Sequence, residues 1–153
     1  MICVSHALSS SGLFRPRFGL ALVFWALLLL AGVARAELVV VVNPGNGVDQ
    51  LSKSQVVNIF LASSREFPDG APATPIDLAP RDAEFYGALV NRNPVQMDAY
   101  WSRLVFSGKA SRPRKADRWE DVIQAVAANR SAIGYVDTER ADPAHVKVVF
   151  VVP

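Results

Sequence analysis

The sequence predicts an α/β domain of three layers, with helices on both faces of a mixed or parallel sheet. Three observations carry this prediction. LVVVVN, from Leu38 to Asn43, is an unbroken β-branched run of the kind found in strands covered on both faces. AIGYV (Ala132 to Val136) reads as a short buried strand, and VKVVFVV (Val146 to Val152) as a final strand. Between these runs lie segments of helical period with recognisable start signals, and strands separated by helices define the class.

The first 36 residues stand apart from this domain. Arg15 and Arg17 precede the charge-free run FGLALVFWALLLLAGV, which ends in Ala34-Arg35-Ala36, a small-x-small site. That is the layout of a secretory signal peptide cleaved after Ala36. An uncleaved anchor is the competing reading, because the run approaches spanning length. The Ala-x-Ala site favours cleavage. No cysteine at that point could take a lipid, and Pro16 separates the two arginines, so no twin-arginine signal is present.

Cleavage would leave residues 37–153, 117 of the 153, which is one domain with one core. The leader holds three of the 16 Lys+Arg and none of the 14 Asp+Glu, so the mature net charge is −1. Such a balance gives no reason to expect nucleic-acid binding or attachment to a membrane surface. The only cysteine, Cys3, belongs to the leader, so an exported domain would depend on its apolar core and not on disulfides. A bacterial periplasm is the expected compartment, with no membrane insertion after cleavage.

Each element has a local reason. After the first strand, NPGNG breaks the chain into a loop. LSKSQVVNIFLA then carries a full helix start: Ser52 as N-cap, Gln55 completing a capping box, and Leu51 with Val56 as a hydrophobic staple. Val56, Ile59 and Phe60 form its buried stripe. FPDGAPAT is a turn, and TPIDL gives a short strand around Pro75 to Leu78. Asp82 is placed to cap a helix from about Ala83 to Val90. Asn93, Pro94 and Gln96 open the next helix, which Gly108 stops. Lys109 to Ala116 reads as a basic loop, and Asp117 with Glu120 as a capping-box pair starting a helix to about Asn129. The expected order is β-α-β-α-α-α-β-β. Tyr100, Trp101, Phe106, Trp119 and Tyr135 are expected on inner faces.

Chemistry has few footholds. The mature chain has one histidine, His145, and no cysteine; no metal cluster or nucleophile-and-base spacing can be assembled. The expectation is a protein that is not an enzyme and carries no cofactor or metal. PIDLAPRDAEFY, from Pro75 to Tyr86, is the main candidate site, because a strand-turn-helix can present helix amides to an anion. Arg81 could take an oxyanion in bidentate fashion. Asp82 and Glu84 oppose one, since a capping carboxylate satisfies the same amides and adds negative charge. The balance favours a self-capped turn over a working anion site.

Taken together and in order, LSKSQVVNIFLASSREFPDG, YWSRLVFSGK and ANRSAIGYVD resemble the periplasmic phosphate-binding proteins of ABC transporters. The matching residues are Leu51, Ser52, Gln55, Ile59, Phe60, Asp69, Gly70 and Ala132 through Val136. The resemblance covers nearly the whole mature chain. It implies a single lobe of the periplasmic-binding-protein type, α/β/α with a mixed sheet, and a phosphate-like anion as ligand for a transport system. Two departures stand out. Family members have two lobes and the mature length suffices for about one. The family's Arg-x-x-Gly-Ser-Gly-Thr turn is replaced by Leu78 to Phe85, which lacks glycine, serine and threonine. Ligand binding on this reading involves Arg81, Asp82, Ser52 and Asn43, with a homodimer supplying the missing lobe. The alternative is a module that keeps the fold without the ligand and meets a periplasmic protein through Lys109, Arg112, Arg114 and Lys115.

Overall fold

A computed structural model describes residues 36–153, so the expected leader, and with it the membrane-anchor alternative, lies outside the described residues. Strand β1 (Leu38–Val42) is the most deeply covered element: all five of its residues are buried. Its neighbours are β4 (Ala132–Asp137) and β5 (Lys147–Val151), both antiparallel to it. Beyond β4 lie β2 (Thr74–Leu78) and β3 (Arg114–Ala116), both parallel partners in the run. The five-stranded sheet thus has the order β3-β2-β4-β1-β5 and is mixed, as expected.

Four helices cover it: α1 (Lys53–Phe60), α2 (Asp82–Val90), α3 (Pro94–Phe106) and α4 (Trp119–Ala128). Successive residues of a strand point to opposite faces. On β4, Tyr135 stacks on Phe85 of α2 (centroids 3.7 Å apart) and meets Phe60 of α1 at 5.7 Å. Gly134 faces the other way, where an added Cβ would meet Val122 of α4 at 2.5 Å. Helices therefore lie on both faces, which gives three layers.

The start signals of α1 and α3 operate as the sequence implies. Ser52 Oγ accepts from Gln55 N, and the Gln55 side chain accepts from Ser52 N at 2.8 Å. Asn93 and Gln96 make the same reciprocal pair. Gly108, at φ +67°, follows the end of α3, and Lys109 N bonds back to Leu104 O; glycine accepts that conformation without strain.

Four expectations are corrected. Asp82 does not cap: a 3-10 turn, Ala79–Arg81, leads straight into α2, whose N-cap is Arg81, with no side-chain cap bond. Asp117 and Glu120 form no capping box, because the N-cap of α4 falls one residue later, at Arg118, which makes no side-chain cap bond. The basic loop contains β3, so a strand stands between α3 and α4. Phe106 is 96% exposed rather than inward, since it closes the last turn of α3 on the side away from buried Met97 and Trp101.

Candidate functional site

The carboxyl end of β2 gathers several ionisable side chains. Parallel pairing sets Asp77 opposite Lys115, so two residues far apart in sequence share one spot on the sheet. Asp77 is 3% exposed. Tyr86 Oη, from α2, donates to Asp77 Oδ1 at 2.9 Å, and Tyr135 Oη, from β4, approaches the same oxygen at 3.4 Å. Burial disfavours the carboxylate and pushes Asp77 up to about 6, a shift that the Tyr86 hydrogen bond and the Lys115 charge reduce and the Asp82 charge increases. Burial and the nearby Asp77 also raise both tyrosines, so each stays a protonated donor.

Around Asp77 opens a pocket of about 90 Å³, walled by Asp82, Ala83 and Tyr86 of α2, Met97, Asp98 and Trp101 of α3, and Arg112 with Lys115. Lys115 Nζ bonds Asp82 Oδ2 at 2.7 Å, and this bond raises the lysine. Arg112 bonds Asp98 at 2.8 Å and lowers that carboxyl. Three carboxylates thus face two cations, with the first turn of α2, free of any side-chain cap, on the same wall. Room of this size admits a single small polyatomic ion or a few waters; a sugar or peptide needs several hundred Å³.

The residues expected to bind do not converge. Asp82 lines this pocket; Arg81, Ser52 and Asn43 do not. Arg81 turns back onto the fold: Nη2 donates to Ala36 O at 2.9 Å and stands 2.8 Å from Asp137 Oδ1, and Nη1 lies 3.4 Å from Glu84. The close approach to Asp137 is an ion pair, and Asp137 Oδ1 and Arg81 Nε are both buried without a hydrogen bond. Asn43 has a structural task. Its amide donates to Val126 O and Ala127 O at the end of α4, while its carbonyl oxygen accepts from Gly45 N. Ser52 is committed to its capping box. Of the four cations assigned to a partner, Arg112 and Lys115 wall the pocket, whereas Lys109 and Arg114 are exposed outside it. Among the described residues no cluster of His, Cys, Asp and Glu could hold a metal ion.

Sequence reasoning missed Asp77, Tyr86, Tyr135 and Asp98. Asp77 gave a partial signal: it is the one acid of the strand TPIDL, and an acid in a sheet covered by helices on both faces needs partners. Lys115 could be placed beside it only once β3 was known to be a strand.

The chain's fold is that of solved phosphate-binding proteins of ABC transport systems. A receptor for ABC-type phosphate transport from Vibrio cholerae superposes with a TM-score of 0.56 at 16% identity, over 74% of this chain and 45% of that one. A chain assigned as a possible phosphate-binding protein from Planctomyces limnophilus gives 0.52 at 18%, over 74% and 40%. One from Clostridium perfringens, assigned as the substrate-binding protein of a phosphate ABC transporter and holding phosphate, gives 0.50 at 17%, over 74% and 44%. The chain spans less than half the length of these proteins. No family model and no curated protein matches it.

Proposed function

We propose that the chain is a single-lobed solute-binding module, exported to a bacterial periplasm, that takes a small oxyanion of the phosphate type at the carboxyl end of β2. The reading rests on one observation: Asp77 and Lys115 are paired in register beside the uncapped first turn of α2. A partly protonated oxyanion suits that combination. Its O–H can donate to Asp77, while its charged oxygens accept from Lys115 and the α2 amides. In open α/β sheets ligands settle at the carboxyl ends of strands, where this pocket lies. A second molecule would supply the opposite wall.

The carboxylates of the pocket favour a second reading. Asp82 and Asp98 already occupy Lys115 and Arg112, so the lobe can also be a module that retains the fold and serves as an accessory to another periplasmic protein. Titration calorimetry of the purified protein with inorganic phosphate separates the two. Heat that disappears in Lys115→Ala and survives in Arg81→Ala supports the anion site. No heat at millimolar phosphate leaves the accessory reading.

A further inference from the structure

Two surfaces outside the Asp77 pocket are complementary to each other. The first is a ridge on α3. Val95 and Phe106 are 77% and 96% exposed and share a face of the helix, about three turns apart with Asp98, Ala99 and Ser102 between them. Val105, 50% exposed, widens the ridge at the Phe106 end. Arg103 and Lys109 stand exposed beside it, and Asp98, a nearby acid of the helix, is engaged by Arg112. Val105 and Phe106 together make an exposed apolar knob at the end of α3 flanked by cations, the kind of feature that marks a contact surface.

The second surface is a groove of about 760 Å³ between α4 and the connection from β4 to β5. Trp119, Ile123 and Ala127, at four-residue spacing, form an apolar floor along α4. Glu139 and Asp142 stand on the rim against Arg140, whose guanidinium lies 4.8 Å over the Trp119 ring, while Glu120 there is paired with Arg118 at 2.9 Å. The rim is therefore net acidic and the ridge net basic. Near-total exposure of Phe106 means that the ridge does not fill the groove of its own molecule.

We infer that the α3 ridge of one molecule docks in the α4 groove of a second copy of this chain, with Phe106 over Ile123 and Ala127 and with Arg103 and Lys109 toward the acidic rim. The two patches differ, so the contact is head-to-tail: each molecule keeps a free ridge at one end and a free groove at the other. Such contacts propagate into rings or short chains rather than stopping at a symmetric dimer. Opposite rim charges orient the encounter and weaken with salt. The inference stands whether or not the Asp77 pocket takes an anion.

Sedimentation velocity from micromolar to millimolar protein tests it with two variants at exposed positions. Phe106→Ser removes the knob, and Ala127→Arg fills the groove. Wild type should form species larger than dimers as concentration rises, and raised salt should weaken them. Each variant alone should stay monomeric, a loss of about thirtyfold or more in association, the scale of an interface hot spot. Mixing the two should restore association but stop it at one-to-one dimers, because each pair has one intact ridge and one intact groove. Wild type that remains monomeric at millimolar protein, or a mixture no more associated than its components, overturns the inference.

Discussion

Asp77 and Lys115 face each other across β2 and β3, yet the ammonium bonds Asp82 and leaves the buried carboxyl of Asp77 to the hydroxyl of Tyr86. The lysine lowers the cost of charging Asp77 without cancelling it. Asp77 accordingly keeps a folded pKa of about 6, against an ordinary 3.8.

That shift gives a pH-dependent stability of defined sign. A carboxyl raised in the folded state holds its proton more tightly there than in the unfolded chain. Its contribution is full below about pH 3.8 and is lost as pH rises to about 6, a change of about 3 kcal/mol at most. Asp77→Asn cannot lose it. Urea unfolding of both proteins from pH 4 to pH 7 should show the variant gaining on the wild type across that window. Parallel profiles would mean that Asp77 is not charged at a cost.

Tyr86→Phe and Tyr135→Phe should differ. Removing the 2.9 Å donor leaves a buried carboxylate short of a partner, at a cost of about 2 kcal/mol at neutral pH. The 3.4 Å contact of Tyr135 is weaker, and its loss should cost about half as much. Equal losses in denaturant midpoint would contradict the assignment of Tyr86 as the principal donor.

Gly134→Ala should cost about 1–3 kcal/mol, because the new methyl meets Val122 Cγ1 at 2.5 Å in a closed layer. Val122→Ala alone should also destabilise, by opening a cavity. The double variant should be more stable than the sum of the two losses implies. Additive losses in thermal unfolding would rule out this contact as the source of the cost.

Arg81→Ala should act on stability rather than on ligand. Its guanidinium is about one-quarter exposed and joins the start of β1 to the end of β4 through Ala36 O and Asp137. Solvent screening holds the expected loss to about 1 kcal/mol. Calorimetry with phosphate should be unaffected. Binding lost together with Arg81 would place the anion site at the turn itself.

Much of the fold was legible in local signals. Capping boxes at Ser52 and Asn93 and the stop at Gly108 depend on a few adjacent residues, and the structure shows all three. The misreadings share a cause. β3 is three residues of basic sequence that become a strand only through parallel pairing with β2, which no local pattern reports. Asp82 has the composition of a cap, but the 3-10 turn places it inside the helix, and its carboxylate goes to Lys115. Tyr86 and Tyr135 looked like packing residues, and they are; their hydroxyls converge on Asp77 only in three dimensions.

The position of β1 has a kinetic consequence. Leu38 pairs with Asp137, and Val39 with Val151, so the first strand of the domain is held between the last two. A chain delivered in order, from a ribosome or through a membrane channel, cannot complete its sheet until nearly all of it has arrived. Such non-local pairing slows folding. If the chain is exported as proposed, that delay would keep the polypeptide unfolded and threadable during translocation, and the sheet would close around β1 only after β5 had crossed.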